Sequence, residues 1–214
     1  ESGPESDPES GNVLIFILIG IVLLAALNFA FSQGADTGSD SIADTGKAAI
    51  AASNIISEAG TVQQAVRDLQ RREGCSENDL SFSRSSGDSY DHGAPQNCKV
   101  FDFKGGGVDY ESPKAKWLTT SPQEWFFPRD VAIVDVGTTA NDLVMILPKV
   151  DKQICQQINS KLDIDSVPSN TWDPDTNYYK GTFSGSDTIS ANGKRSACFE
   201  GSSGRHYYNV MVVR

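Results

Sequence analysis

The sequence has little of what most catalytic sites are built from. Its 214 residues include only two histidines, no CxxC pair and no GxSxG motif. Neither His92 nor His206 stands at the spacing of a nucleophile and its base or of a metal-ligand set. Glycines 105–107 lack the Lys-Ser/Thr ending of a phosphate-binding loop. We therefore predict that the protein is not an enzyme, with His92 in a loop and His206 at a strand edge.

Basic residues are absent from the first part of the chain. None precedes Lys47, although residues 1–46 hold seven of the 28 acidic residues. The rest of the chain is nearly balanced, so most of the net charge of -10 belongs to the N-terminal part. Without flanking positive charges, the positive-inside rule gives no membrane orientation. An acidic balance without basic clusters argues against nucleic acid as a partner.

A long apolar run lies within this acidic part. Residues 13–31 are interrupted only by Gly20 and Asn28. As a helix they would be about 28 Å long, close to the roughly 30 Å hydrocarbon core of a bilayer. A signal peptide is the alternative, but residues 1–12 form an acidic arm with no basic start and no convincing cleavage site. We predict a retained membrane segment and, because the chain starts with Glu1, a leader that has already been removed.

Two further segments follow the apolar run. Residues 32–41 have the Gly, Ser and Asp content of a flexible joint, and residues 42–74 have the spacing of an amphipathic helix. Gly46 and Gly60 each weaken that helix by about 1 kcal/mol, so packing must hold it, and Gly74 is a suitable terminator. Its predicted apolar stripe is Ile42, Ala49, Ala52, Ile56, Ala59, Val62, Val66 and Leu69.

Residues 75–214 change to short apolar runs separated by Gly, Pro, Asn and Asp. This texture predicts one β-rich globular domain and, with the helix before it, an α+β fold. One short helix is predicted over residues 149–163, followed by a long polar region over residues 163–197. The predicted strands are two around a glycine turn in 99–111, then 124–128, 131–137, 142–148 and 206–214.

All four cysteines follow the apolar run. An even number without CxxC spacing favours two disulfides in an oxidising compartment outside the cytoplasm, with four buried free thiols as the alternative. Four cysteines allow three pairings. We favour Cys75 with Cys98 and Cys155 with Cys198, because these pairs close the shorter loops in sequence order.

One pattern suggests a metal ion. Asp173, Asp175 and Asn177 stand at alternate positions, as at the start of a calcium loop. The twelfth position of such a loop should be a bidentate acid, and here it is Ser184. A solvated turn is the default interpretation, so no cofactor is predicted and calcium is kept as a weak candidate.

The order of these segments resembles the layout of type IV pilins and of the pseudopilins of type II secretion. The sequence support lies in residues 11–31, where Gly11 precedes the apolar helix. Two positions differ from the family pattern: the glutamate expected near the helix start is absent, with Glu9 the possible substitute, and Asn12 replaces an aromatic residue. The resemblance implies a long N-terminal helix, apolar then amphipathic, packed on a small antiparallel sheet with disulfides.

The resemblance also implies a function. Such a protein is a structural subunit that spans the inner membrane once before assembly and then joins a helical filament of identical subunits at the cell surface. The implied partners are the membrane during assembly and further copies of the chain. The residues implied to form the assembly helix are Val13, Phe16, Gly20, Leu24, Ala25, Leu27 and Phe31.

Two other functions remain open from the sequence. The first is a single-pass anchored protein of the periplasm or cell surface that binds a partner and never polymerises. The second is a membrane-tethered enzyme acting on polysaccharide, which would need a pair of carboxylates that no spacing marks.

Overall fold

The computed structural model describes residues 44–214 of the protein, and Lys47–Arg214 form one compact unit. The described part is α+β, with one long and one short α-helix, three short 3₁₀ helices, small sheets and two disulfides. The predicted arm 1–12, apolar helix 13–31 and joint 32–41 lie outside the described residues. Among the helices of residues 44–214, none combines the length and the apolar character needed to cross a bilayer.

Helix α1 covers residues 44–72, as the amphipathic pattern predicts. It ends because Gly74 adopts a left-handed φ of 68°, which lets the Leu69 carbonyl accept hydrogen bonds from the N–H groups of Glu73 and Cys75 at 3.1 and 3.2 Å. Its buried stripe is Ala48, Ala51, Ala52, Ile55, Ala59, Val62, Ala65, Val66 and Leu69.

Of the predicted stripe of α1, Ile42 lies outside the described residues, and two positions are shifted by one residue. The other predicted positions are buried: Ala52, Ala59, Val62, Val66 and Leu69. The structure buries Ala48 and Ile55, while their predicted neighbours Ala49 and Ile56 are only partly covered. Adjacent positions are both apolar here, so spacing alone cannot decide which one faces the core.

The remaining elements follow in chain order: β1 (Val131–Ile133), β2 (Leu143–Leu147), α2 (Lys152–Lys161), β3 (Asp187–Ile189), β4 (Ser196–Gly201) and β5 (Gly204–Val212). Three strands form an antiparallel sheet in the order β2-β5-β4. A tight turn at Ser202 and Ser203 joins β4 to β5. Strands β1 and β3 form a separate parallel pair, with Ile133 opposite Ile189. The prediction of an antiparallel sheet therefore holds for the larger sheet only.

The antiparallel sheet is buried on both faces. Side chains of β2 alternate between the two sides, so Met145 contributes to one core and Val144 to the other. The first core also contains residues of both helices, among them Ile55, Val62, Ile154 and Ile158. The second contains residues of the parallel pair and of nearby loops, among them Ile133, Ile189, Phe126 and Trp172. Burial on both faces explains the uninterrupted apolar sequence of β2.

The predicted strands at 142–148 and 206–214 and the predicted helix at 149–163 are confirmed as β2, β5 and α2. The two strands predicted for residues 99–111 are wrong, because residues 100–106 form successive turns and residues 107–111 have no regular structure. The glycines cause this: a Cβ on Gly105 would lie 2.2 Å from the Lys99 carbonyl oxygen, so only glycine lets the chain fold back so closely.

Three other regions differ from the prediction: two contain less strand than predicted, and one contains more. Residues 124–128 contribute single bridges, of which Phe126 with Ile146 is one, rather than a strand. The strand predicted for 131–137 ends at Ile133, because Asp135 turns the chain with a φ of 63°. The polar region 163–197 contains β3 and the start of β4.

Candidate functional site

Both favoured disulfide pairings are confirmed. Cys75 pairs with Cys98 across 23 residues and Cys155 with Cys198 across 43 residues. The first ties the chain just after α1 to the segment before the glycine turns. The second ties α2 directly to β4. One disulfide therefore lies just after α1, and the other joins α2 to the antiparallel sheet. Such bridges suit an oxidising compartment.

Asn159 holds α2 on β4 in a second way. Its Oδ1 accepts a hydrogen bond from the Cys198 N–H at 2.7 Å, and its Nδ2 donates to the Cys198 carbonyl at 2.8 Å and to the Ser166 carbonyl at 3.2 Å. The amide thus bonds to β4 as a neighbouring strand would, on the side away from β5. This covers the edge of the sheet. In the sequence, the only signal for this role is a polar residue between Ile158 and Leu162 on the apolar face.

The three calcium candidates do not share one set of contacts. Oδ1 of Asp173 accepts hydrogen bonds from the N–H and hydroxyl of Ser203 at 2.9 and 2.8 Å, and lies 3.0 Å from Nε2 of His206. Since Nδ1 of His206 faces the Lys149 N–H at 3.4 Å, the proton of the neutral ring lies on Nε2. Burial lowers the pKa of His206 to about 4, against the opposing effect of its hydrogen bond to Asp173. Through its two hydrogen bonds from Ser203, Asp173 stabilises the turn between β4 and β5.

Asp175 and Asn177 instead lie beside an acid that the spacing does not indicate. Nδ2 of Asn177 donates to Oδ2 of Asp130 at 2.6 Å and to Oδ2 of Asp175 at 2.5 Å. One carboxylate oxygen each of Asp130, Asp175 and Asp187 lie within 4.8 Å of one another. These three residues are called the acidic cluster below. Oxygen donors in this number are suited to a hard cation.

Asp130 is the buried member of the acidic cluster. It is 2% exposed, and its Oδ1 has no hydrogen-bond partner within the described part of the chain. Burial raises the pKa of Asp130; the hydrogen bond from Asn177 opposes this rise, and the charge of Asp175 adds to it. Burial disfavours the charged form of this carboxylate, and a cation beside it would stabilise that form.

The parallel strand pair brings the acidic cluster together. Asp130 immediately precedes β1 and Asp187 begins β3, and the Asp187 N–H donates to the Asp130 carbonyl at 2.9 Å. The Arg129 N–H donates to the Asn177 carbonyl at 3.1 Å, which anchors the loop that carries Asp175. Sequence spacing missed Asp130 and Asp187 because parallel pairing joins segments far apart in the chain.

A cleft of about 290 Å³ lies beside α1. Nε1 of Trp125 donates to Oε1 of Glu58 at 2.7 Å on its wall, and burial raises the pKa of Glu58 against the effect of that hydrogen bond. Trp117 also lines the cleft, and its Nε1 is buried without a partner among the described residues. The cleft therefore combines aromatic walls with a carboxylate.

The two histidines hold structural positions. His92 lies in a loop, where its Nδ1 contacts the Tyr90 carbonyl at 3.1 Å. His206 lies inside β5 rather than at a strand edge. The hydroxyl of Ser203 donates to Asp173 and not to His206, so these three residues do not form a nucleophile-activating relay.

Comparisons with known proteins found no matching family model, no similar curated protein and no similar solved structure. The described residues show an α+β protein with two disulfides. The likeness to pilins and pseudopilins rests on the order of segments and on residues 11–31, which lie outside the described part.

Proposed function

We propose that the protein is a pilin-like structural subunit of an extracellular filament, assembled through residues 13–31. The observation that supports the proposal best is the position of α1. It follows the apolar segment in the sequence, and its alanine-rich stripe shares one core with the antiparallel sheet. In this proposal, residues 13–31 and α1 are the apolar and amphipathic parts of one long N-terminal helix, and residues 32–41 are the joint between them.

The proposed assembly is physically feasible because lipid tails and neighbouring apolar helices are both apolar environments without water. A subunit that leaves the bilayer can therefore bury residues 13–31 against the same segment of its siblings at little cost. Small residues such as Gly20 and Ala25 let those backbones approach closely. Identical subunits related by a rotation that does not close form an open helical polymer.

The same proposal gives the location and partners. Before assembly the subunit spans the inner membrane once, and after assembly it lies in a filament at the cell surface. The partners are the membrane and further copies of the chain. The two disulfides support a destination outside the cytoplasm.

The test is microscopy of sheared surface material from cells that make the full chain, with antibody labelling of the globular domain. We expect labelled fibres for the natural sequence. Gly20→Leu keeps the segment apolar enough for insertion but blocks close helix packing, so we expect membrane-bound protein without labelled fibres. Leu24→Ile is the matched control and should retain the fibres. Surface-exposed natural protein that is absent from every fibre would contradict the proposal.

The cleft beside α1 favours one alternative, an anchored protein that binds a partner without polymerising. Its aromatic walls and the carboxylate of Glu58 are features of a ligand site. In that case labelled fibres are absent, Gly20→Leu changes nothing, and Trp117→Phe removes the bound partner while leaving the protein in the membrane.

A further inference from the structure

We propose that the acidic cluster, Asp130, Asp175 and Asp187, binds a calcium ion beside the first residues of β1 and β3. One carboxylate oxygen of each lies within 4.8 Å of the other two. Calcium binds oxygen at about 2.3–2.6 Å, so two ligands on opposite sides of one ion are about 4.6–5.2 Å apart. The three oxygens therefore fit within the coordination sphere of a single calcium ion.

The buried carboxylate provides an independent indication of a ligand. Asp130 is 2% exposed and its Oδ1 has no hydrogen-bond partner among residues 44–214. Its other oxygen is already occupied, because Oδ2 accepts the hydrogen bond from Asn177 at 2.6 Å. A buried carboxylate oxygen normally has a donor or a cation, and here the carboxylates of Asp175 and Asp187 each place an oxygen within 4.8 Å of a carboxylate oxygen of Asp130.

The donor set favours calcium over other metals. It consists of carboxylate oxygens with no nitrogen or sulfur ligand, as hard cations prefer. Asp175 and Asp187 are exposed, which leaves space for water molecules to complete six to eight ligands. Carboxylates from three separate segments also suit the flexible geometry of calcium better than the strict octahedron of magnesium. Asp173, the first residue of the sequence pattern, is excluded because its Oδ1 holds Ser203 and His206.

The test uses the full chain in detergent micelles, freed of metal with EDTA, with thermal unfolding followed by circular dichroism. We expect half-saturation with CaCl₂ at about 10⁻⁴–10⁻³ M, as in extracellular calcium modules. A 20-fold excess over the dissociation constant should raise the Tm by about 4–7 °C. Calorimetric titration should show one calcium per chain.

Asp187→Asn is the informative variant because its side chain is exposed. It should lose most of the calcium-dependent rise in Tm, yet unfold at the same or a higher temperature in EDTA, because one repelling charge is gone. Asp130→Asn should behave likewise. Asp109→Asn, an exposed acid outside the cluster, is the control and should keep the full calcium response.

Three results would overturn the proposal: no calcium-dependent change in the natural chain, an undiminished response in Asp187→Asn, or an equal rise in Tm with MgCl₂. Because Asp187→Asn leaves the buried residue intact, a folding failure of Asp130→Asn does not prevent the decision. The site does not depend on filament assembly, so neither outcome bears on the function proposed above.

Discussion

Replacing Asn159 with alanine should loosen α2 from β4 far more than the loss of one small side chain suggests. The amide accepts a hydrogen bond from the Cys198 N–H at 2.7 Å and donates one to the Cys198 carbonyl at 2.8 Å. Cys198 is fully buried. In Asn159→Ala, two buried backbone groups therefore lose their partners on the side of β4 that faces α2.

The expected cost follows from those two groups. A buried polar group left without a partner costs about 1–3 kcal/mol, so the loss of partners for two such groups should lower the free energy of unfolding by roughly 2–6 kcal/mol. In a domain of this size, 1 kcal/mol corresponds to about 2–4 °C, and the Tm should fall by roughly 4–24 °C. Gln156→Ala, at an exposed position of the same helix, is the control and should change stability by no more than about 0.5 kcal/mol.

Asn159→Asp tests the direction of the hydrogen bonds. The aspartate keeps the acceptor for the Cys198 N–H but turns a carboxylate oxygen toward the Cys198 and Ser166 carbonyls, so its folded-state pKa should rise. Stability should therefore be low at neutral pH and recover as the pH falls and the acid becomes a donor.

Urea unfolding at pH 7 and pH 4.5, with both disulfides intact, measures these differences relative to the natural chain. If Asn159→Ala matched Gln156→Ala in midpoint, or if Asn159→Asp showed no recovery at low pH, the role assigned to the amide would be refuted.

Two more predictions concern pH and covalent linkage. The pKa of His206 is lowered from 6.5 to about 4, so the unfolded chain takes up this proton first. The contribution of neutral His206 to the free energy of unfolding is complete above pH 6.5 and falls by roughly 3 kcal/mol toward pH 4. In urea titrations, His206→Gln should reduce this dependence of stability on pH. An unchanged dependence would contradict the prediction. Replacing Cys155 and Cys198 together with alanine should lower the free energy of unfolding by about 4 kcal/mol, and replacing Cys75 and Cys98, which close a 23-residue loop, should lower it by roughly 3.4 kcal/mol. Paired urea titrations that gave the reverse order would contradict this.

Features set by near neighbours could be predicted from the sequence. The spacing of alanines and aliphatic residues predicts α1, and Gly74 marks its end because a left-handed residue there costs glycine little. The unbroken apolar sequence of β2 predicts a strand buried on both faces. In each case the deciding interactions lie within a few residues along the chain.

Other features depend on which distant segments meet. Periodicity alone could not choose between Ile55 and Ile56 for the core, because the choice is made by what packs against α1. The glycine turns at 100–106 resemble a hairpin in composition, and only the close approach of Gly105 to the Lys99 carbonyl identifies them as a compact loop.

The candidate metal site was also predicted only in part from the sequence. Spacing marked Asp173, Asp175 and Asn177 only as weak calcium candidates, with a solvated turn as the default, and the two acids that join Asp175 come from the starts of β1 and β3. By itself the sequence determined the helices, the buried strands and the favoured disulfide pairing, because each follows from local spacing or short loops. Only the tertiary structure decided the parallel pairing, the Asn159 attachment and the acidic cluster, because these join groups that no local pattern connects.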